Sequence, residues 1–252
     1  MPMEAKHSGR IAVLSGFFDE CQGAGTIQAL ADLVDAAVRE FGFRWFTLLH
    51  NVDLQRTGEG ALFVTTYPSA WIEEALEAQH YLYDPIHAAC SKTPSGFAWD
   101  RLGDFIKLSG RQRTILDRAR DHGLVSGYTM PMRMPGEPEA IFSVAREASH
   151  ALSTDDVLTV RLLGSVAYDR ARELTPNPTK FPAVSLSPRQ IDCLALVAQG
   201  KSDWEIGQIL GLSGDTVHEY VESARRRYGV RRRAQLVLRA VRDGHLNMEA
   251  LM

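Results

Sequence analysis

The C-terminal part of the chain contains Ser202-Asp-Trp-Glu-Ile-Gly-Gln-Ile-Leu-Gly-Leu-Ser-Gly-Asp-Thr-Val217. Ser202, followed three residues later by Glu205, is a capping box and predicts that a helix begins here. Gly211 predicts where this helix ends, because the left-handed backbone that follows many helices favours glycine. A second helix is predicted from 214, so two helices flank a three-residue turn. This pattern predicts a helix-turn-helix.

Two more helices complete an all-helical unit around this motif. Ser187-Pro188-Arg189-Gln190 is a second capping box, with proline at the first helical position, where no backbone donor is needed. The four predicted helices span 187–199, 202–210, 214–228 and 231–243. The residues expected to form the core of the helix-turn-helix are Ile206, Ile209, Leu210, Leu212, Val217, Val221 and Ala224.

A cluster of arginines lies in the same region. Tyr220–Arg242 contains eight arginines, at 225, 226, 227, 231, 232, 233, 239 and 242, and one acidic residue, Glu222. The whole chain, by contrast, has 28 Lys and Arg against 31 Asp and Glu. A local basic cluster in an acidic chain indicates contact with a polyanion. The alternative is a helical bundle with a solvated basic face.

In a helix-turn-helix, the N-terminal half of the second helix enters the major groove of DNA. Thr216 lies at the start of this helix, where a hydroxyl and free backbone N–H groups can hold a phosphate. The residues predicted to contact DNA are Thr216, His218, Glu219, Glu222, Arg225, Arg226 and Arg232.

The region from Leu186 to Gln235 resembles the four-helix DNA-binding domain of LuxR-type transcription factors. The matching residues are Leu186-Ser-Pro-Arg-Gln190, Gly200-Lys-Ser-Asp-Trp-Glu-Ile206, Leu210-Gly-Leu-Ser213, Thr216-Val217, Tyr228-Gly-Val230 and Arg233-Ala-Gln235. One residue departs from the pattern, because the family usually has Glu in the position of Gln190. The resemblance implies that the chain binds double-stranded promoter DNA, with RNA polymerase as a further partner. His218 and Glu222 stand where some relatives read bases through arginine, so the target site should differ.

The first 173 residues mix the periodicities of helices and strands. The predicted helices are Gly25–Phe41, Ser69–Tyr83, Ser109–His122 and Ser153–Glu173, and the predicted strands are Phe43–His50, Ala61–Thr66, Gly127–Met134 and Ala140–Glu147. Pro135-Gly136-Glu137-Pro138 predicts a hairpin between the last two strands. Without repeated βαβ units, the pattern predicts an α+β domain, an α-β-α sandwich with an antiparallel sheet between helix layers. Such layers could enclose a small-molecule pocket.

Three prolines within Leu174–Ala183 predict a semi-rigid linker between the two parts. The predicted organisation is therefore a domain over 1–173, a linker over 174–184 and the all-helical domain over 185–252.

The larger part resembles the autoinducer-binding domain of quorum-sensing receptors for N-acyl-homoserine lactones. The residues that carry the resemblance are Tyr67-Pro-Ser-Ala-Trp71, Asp84-Pro85, Trp99 and Gly127-Tyr-Thr129-Met-Pro131, at spacings that match the family's pattern. Together, the two resemblances cover the chain from about residue 41 onward. A phosphate-receiver domain is not indicated, because its acidic cluster, acceptor Asp and later Lys are not found in that layout.

The resemblance implies a role for each polar residue of the predicted ligand site. Asp84 accepts a hydrogen bond from the ligand amide, and an ionised acceptor forms the stronger bond. The Trp71 indole, which can only donate, serves the lactone carbonyl, and the Tyr67 hydroxyl serves the amide carbonyl. Trp99 covers the lactone ring. The remaining residues of the predicted ligand site are Phe63, Ala75, Thr129 and Ser143.

Each of these residues also has an interpretation without a ligand. Asp84-Pro85 is a good helix N-cap followed by a good first helical residue. Trp71 on an apolar helix face is suited to a core, and Tyr67 before Pro68 is suited to the end of a surface strand. For Asp84, the cap and the ligand contact are compatible, because the cap can fix the backbone while the carboxylate meets the ligand.

Ala75 departs from the autoinducer-binding pattern, because the family usually has Tyr at this position. We hypothesise that the missing ring leaves room for a bulky, branched, aromatic or long acyl tail. The residues expected to bound this space are Phe46, Phe63, Tyr81 and Met130. The rival hypothesis is that another side chain fills the gap and the tail is ordinary.

Other classes of protein are not indicated by the sequence. No GxSxG, HExxH or His-x-His-x-Asp pattern predicts an enzyme, so we expect no catalytic residues. The cysteines at 21, 90 and 193 form no CxxC pair, and the histidines form no ligand-spaced cluster, so neither a metal nor another cofactor is expected. No apolar run approaches the length that spans a membrane, and the N-terminus lacks an apolar signal core. We therefore expect a cytoplasmic protein without a membrane partner.

The expected mechanism couples ligand binding to dimerisation. A bound ligand stabilises the folded domain, which then forms a homodimer. Helix 153–173 has two apolar stripes, one for the sheet and one for a partner helix: Val157, Val160, Leu163 and Ala167, and Leu158, Leu162 and Val166. The dimer then binds a near-palindromic promoter site. Two alternatives stay open: a regulator that needs no ligand, and an inhibitory protein that forms mixed dimers.

Overall fold

The computed structural model describes residues 2–50, 62–134, 137–175 and 184–247. The helix that ends at Leu174 belongs to one compact unit, and the helices after Val184 belong to a second. Most of the predicted linker, 174–184, lies outside the described residues, so the domain boundaries stay a prediction. Among the described helices, none combines the length and the apolar character needed to cross a membrane.

The larger unit contains six α-helices, two short 3₁₀ helices (His80–Leu82 and Trp99–Asp104) and five strands in its described part. The helices are α1 (Pro2–Gly23), α2 (Ile27–Glu40), α3 (Ser69–Glu77), α4 (Pro85–Cys90), α5 (Gly110–Asp121) and α6 (Thr154–Leu174). The strands are β1 (Trp45–His50), β2 (Phe63–Thr65), β3 (Phe97–Ala98), β4 (Ser126–Met132) and β5 (Ala140–Arg146). They form one antiparallel sheet in the order β2-β1-β5-β4-β3. The predicted hairpin of the last two strands is confirmed, although residues 135–136 of its turn lie outside the described ranges.

The sheet separates two layers of packed side chains. On one face, Phe46 and Leu48 of β1 and Phe142 and Val144 of β5 pack against α1, α2 and α6. On the other face, the sheet packs against α3, α4 and α5, for example through Ile141. Side chains alternate between the faces of a strand, so both strands carry two buried sets. The predicted α-β-α sandwich is confirmed.

Three helical segments differ from the prediction: α1, α3 and α4, the last of which is indicated only by the cap pair Asp84-Pro85. Helix α1 is not predicted, because its apolar residues do not follow one stripe: Phe17 and Cys21 are buried, whereas Ile11 and Phe18 are exposed. The helix predicted over Ser69–Tyr83 ends at Glu77, because Gln79 adopts a left-handed conformation with φ of 53°. A short 3₁₀ helix, His80–Leu82, follows this break.

The smaller unit contains α7 (Pro188–Ala198), α8 (Asp203–Leu210), α9 (Gly214–Tyr228) and α10 (Arg233–Arg242), which confirm the four predicted helices. Both predicted capping boxes form, and Gly211 ends α8 with φ of 67°. The core residues are Cys193, Leu194, Val197, Ile206, Val217, Val221, Ala224, Tyr228, Leu236, Ala240 and Leu246. The prediction that Ile209 belongs to this core is wrong, because its side chain faces solvent and is 55% exposed.

Candidate functional site

A cavity of about 360 Å³ lies between the sheet and helices α3, α4 and α5. This volume falls in the range of small-molecule sites in proteins. The predicted ligand-site residues that line it are Phe63, Tyr67, Trp71, Ala75, Asp84, Trp99 and Ser143. Thr129, the remaining one, is not a lining residue. Apolar side chains that sequence reasoning missed complete the wall, among them Ile72, Ile86, Ile115 and Ile141.

Thr129 instead supports the cavity through a chain of hydrogen bonds. The Trp99 indole Nε1 donates to Thr129 Oγ1 at 2.8 Å, and this oxygen lies 2.6 Å from Ser143 Oγ. Ser143 and Tyr67 both line the cavity. Because the indole N–H of Trp99 is already used, Trp99 offers the cavity a ring face.

Tyr67 and Asp84 place a donor and an acceptor in the same cavity. Burial raises the pKa of Tyr67 and the charge of Asp84 raises it further, against the opposing hydrogen bond with Ser143, so the hydroxyl keeps its proton. The backbone N–H of Ile86 donates to Asp84 Oδ1 at 2.7 Å, so Asp84 caps α4 and Pro85 follows it. The cap occupies one carboxylate oxygen while Asp84 also lines the cavity. The helix-cap interpretation of Asp84 is confirmed, and its place on the cavity wall is compatible with the ligand contact, which stays a prediction.

Trp71 is held between two imidazole rings that sequence reasoning missed. The centroids of His80 and His122 each lie 5.8 Å from the Trp71 ring, with His80 stacked on it. His122 Nε2 lies 2.9 Å from Glu74 Oε2, and His80 Nε2 lies 3.7 Å from Glu74 Oε1. Glu74 thus links both rings that flank the indole, which is only 6% exposed.

Arg118 fixes Glu74 with two parallel hydrogen bonds of 2.7 Å. These hydrogen bonds, followed by that of His122, lower the pKa of Glu74 to about 2. The helical spacing was a usable signal: Trp71 and Glu74 lie three residues apart, and Arg118 and His122 lie four apart, so each pair shares a helix face.

Ala75 lines the cavity, as do Leu76, Tyr81 and Phe63 in its wall. Phe63 and Leu76 are each 40% exposed, so this wall extends to the surface of the protein. The prediction that Phe46 and Met130 also bound this space is wrong. Both pack on the opposite face of the sheet with α2 and α6, because Thr47 and Thr129, their neighbours along the strands, face the cavity side.

The second helix of the helix-turn-helix is α9. Some of the predicted DNA-contacting residues are exposed to solvent, and others bond to neighbouring groups of the protein. Thr216, His218, Glu219, Arg226 and, at the start of α10, Arg232 are exposed. Arg225 is half-buried, pairs with Glu222 and donates to the carbonyl of Arg231. The Thr216 amide is not free to hold a phosphate, because it donates to Ser213 Oγ at 3.0 Å.

Gln190, the departure from the family pattern, joins α7 to α9. Its Oε1 accepts from the Ser187 amide at 2.9 Å, and its Nε2 donates to Ser223 Oγ at 3.1 Å. Gln190 is 4% exposed, so both bonds are made in the interior. The amide therefore supplies a donor that the usual Glu lacks.

Comparison with known protein families identifies both units. Residues 26–171 match the model of the autoinducer binding domain, and residues 184–240 match that of the luxR family of bacterial regulatory proteins. The chain is 28% identical to the transcriptional activator BjaR1 of Bradyrhizobium diazoefficiens, over 97% of this chain and 100% of BjaR1. It is 27% identical to the transcriptional activator TraR of Agrobacterium vitis, over 88% of this chain and 92% of TraR.

Comparison with solved structures supports the fold. The crystal structure of Escherichia coli SdiA matches with a TM-score of 0.67 and 22% identity, over 95% of this chain and 98% of SdiA. A structure of SdiA in complex with octanoyl-rac-glycerol matches with a TM-score of 0.66 and 22% identity, over 94% of this chain and 95% of SdiA.

Proposed function

Because the chain belongs to the LuxR family of bacterial transcriptional regulators with an autoinducer-binding domain, we propose that it binds an N-acyl-homoserine lactone in the cytoplasm. The liganded protein then forms a homodimer, binds promoter DNA and regulates quorum-sensing genes, in contact with RNA polymerase. Members of this family are regulators and not enzymes. The observation that carries the proposal is that Asp84 and Trp71 line one cavity of suitable size.

The polar groups of the cavity complement those of an acyl-homoserine lactone. The second oxygen of Asp84 accepts from the ligand amide, and the Trp71 indole donates to the lactone carbonyl. The Tyr67 hydroxyl, which keeps its proton, donates to the amide carbonyl. A buried ligand atom left unpaired costs about 1–3 kcal/mol, so a site with these three groups favours this head group. Trp99 supplies a flat apolar surface for the lactone ring.

The room beside Ala75 supports a bulky, branched, aromatic or long acyl tail. A tail that follows the wall past Leu76 and Phe63 reaches a partly exposed apolar surface. Part of a long tail would therefore extend beyond the cavity. The rival hypothesis of an ordinary tail requires no such extension.

The outer surface of α6 supports homodimer formation. Val160, Leu163 and Ala167 pack against the sheet, whereas Leu158 and Leu162, one turn apart, are 59% and 46% exposed. Val166, expected on the same outer stripe, is instead buried in the core. A second copy of the chain would remove the two leucines from water, which is favourable.

The proposal is tested by titrating N-acyl-homoserine lactones into the wild-type protein and Asp84→Asn in a calorimeter. Asn is a good N-cap, so α4 is retained while the charged acceptor is lost. A hydrogen bond to a charged group contributes about 1.5–3 kcal/mol, so affinity should fall about 10- to 100-fold. Asp100→Asn, which also removes an acidic side chain from the cavity wall, is the matched control and should bind normally.

Equal affinities of Asp84→Asn and wild type would contradict the proposed head-group contact. DNA binding by wild type that is the same with and without every lactone would indicate the ligand-independent regulator. Loss of a partner regulator's DNA binding on mixing would indicate the inhibitory protein.

A further inference from the structure

His218 on α9 is held by a carboxylate of the neighbouring helix. Its Nδ1 lies 3.1 Å from Asp203 Oδ2, at the start of α8, while its side chain remains 59% exposed. Asp203 Oδ1 accepts from Arg233 of α10 at 2.6 Å, and Arg233 also donates to the carbonyl of Lys201 at 2.7 Å. The carboxylate is therefore fixed in one orientation between three helices.

This contact determines which nitrogen of His218 carries the proton. Burial raises the pKa of Asp203, but the hydrogen bonds from Arg233 and His218 outweigh it, and the net pKa lies below its ordinary value. The carboxylate is thus ionised at neutral pH and can only accept. Nδ1 must donate to it, so in the neutral ring Nε2 has no proton and is an acceptor.

Resting on the proposed binding of DNA by the smaller unit, we propose that Asp203 makes His218 a reader of amino groups on base edges. His218 lies in the N-terminal half of the second helix of the motif, which enters the major groove. There the donors are the amino groups of adenine and cytosine, whereas guanine and thymine present acceptors only, and adenine adds an acceptor at N7. His218 Nε2 therefore favours adenine or cytosine at one operator position, and Asp203 is its positioning residue.

Asp203 is the acidic side chain that contacts the His218 ring. The charged groups around the ring are Asp203 from α8, Arg233 from α10, and Asp215 and Glu222 from α9, one turn away on either side. Glu222 is paired with Arg225.

Asp203→Asn gives a sharp test, because Arg233 requires the side-chain oxygen and the amide NH₂ must then face His218. Nδ1 becomes the acceptor, Nε2 carries the proton, and the base preference should switch at neutral pH. The experiment selects sites from a randomised DNA duplex library with the full chain, in a mixture of N-acyl-homoserine lactones, at neutral pH.

For wild type, one position should favour adenine or cytosine by about tenfold or more. Asp203→Asn should disfavour cytosine there and favour guanine or thymine. His218→Ala should lose the preference at that position alone, with an unchanged salt dependence. The proposal is overturned if Asp203→Asn shows the same base preference as wild type at that position. If wild type selects no sequence, the proposed DNA binding itself is wrong.

Discussion

Glu74, which is not among the residues that line the cavity, contacts the two imidazoles beside the Trp71 indole. Its folded-state pKa of about 2 lies below the ordinary value of 4.5. A lowered carboxyl pKa stabilises the fold above the ordinary value, and this stabilisation is lost as pH falls through the folded value. The unfolding free energy of wild type minus that of Glu74→Gln should be constant above about pH 5.

Chemical denaturation of both proteins between pH 7 and pH 2 checks this prediction. The difference should shrink as pH falls from about 4.5 towards 2. Glu77→Gln, on the same helix but exposed, is the control and should follow wild type. A difference that stays level down to pH 2 would mean that the Arg118 and His122 contacts do not hold Glu74 ionised.

Ala75→Tyr should restore the ring that the family pattern usually has and fill part of the cavity that Ala75 lines. Overpacking costs about 1–3 kcal/mol, so large acyl tails should bind about 5- to 150-fold more weakly, and short tails should be little affected. Ala78→Tyr makes the same change at an exposed position of the same segment and is the control. Equal losses across an acyl series in calorimetry would refute the extra room.

Strand β4 depends on a glycine where Trp99 crosses it. A Cβ at Gly127 would lie 2.2 Å from the Val144 carbonyl oxygen and 2.8 Å from the Trp99 ring. Gly127→Ala should therefore displace Trp99 and destabilise the larger unit by about 1–3 kcal/mol. Thermal and urea unfolding measure this loss.

Gly103→Ala serves as the control for this substitution, because a Cβ there meets nothing within 4 Å among the described atoms. It should be neutral or slightly stabilising, since alanine reduces the freedom of the unfolded chain. Similar losses in the two variants would show that the close approach to Trp99 carries no special cost.

The helices of the smaller unit could be predicted from sequence because their ends follow local rules. Ser187 and Ser202 cap their helices through hydrogen bonds with residues three positions along the chain. Gly211 ends α8 because glycine readily adopts the left-handed backbone conformation. The exposure of Ile209 could not be predicted in this way, since it depends on how separate helices pack.

For the central strands, the sequence predicts less well which face of the sheet each side chain occupies. Every side chain of β5, and nearly every one of β1, is buried. Without alternation between apolar and polar residues, the sequence cannot indicate that Thr47 faces the cavity while Phe46 faces α2. The same ambiguity explains the wrong placement of Met130. The family resemblance could place Tyr67, Trp71 and Asp84 in one site, but it contains no information on Glu74, His80 and His122.

For the assembled protein, the exposed leucines of α6 lead to a prediction about oligomeric state. Replacing Leu158 and Leu162 together by Glu should abolish the homodimer. Each copy would place two negative charges in an apolar contact, opposite those of the other copy. Analytical ultracentrifugation of the liganded protein should then find a monomer. Leu158→Met together with Leu162→Met keeps the surface apolar and should leave the dimer intact, and a dimer in the Glu double variant would exclude this surface.

The helix cap made by Asp84 reduces the conformational entropy that this side chain can lose when a ligand binds. A free carboxylate samples several rotamers, and holding a side chain still on binding costs free energy. Here the Ile86 amide has already restricted the rotamer, just as Thr129 restrains the Trp99 ring. The conformational freedom of these groups is given up when the chain folds, so a small molecule arriving later meets a preorganised surface and loses little affinity to ordering it.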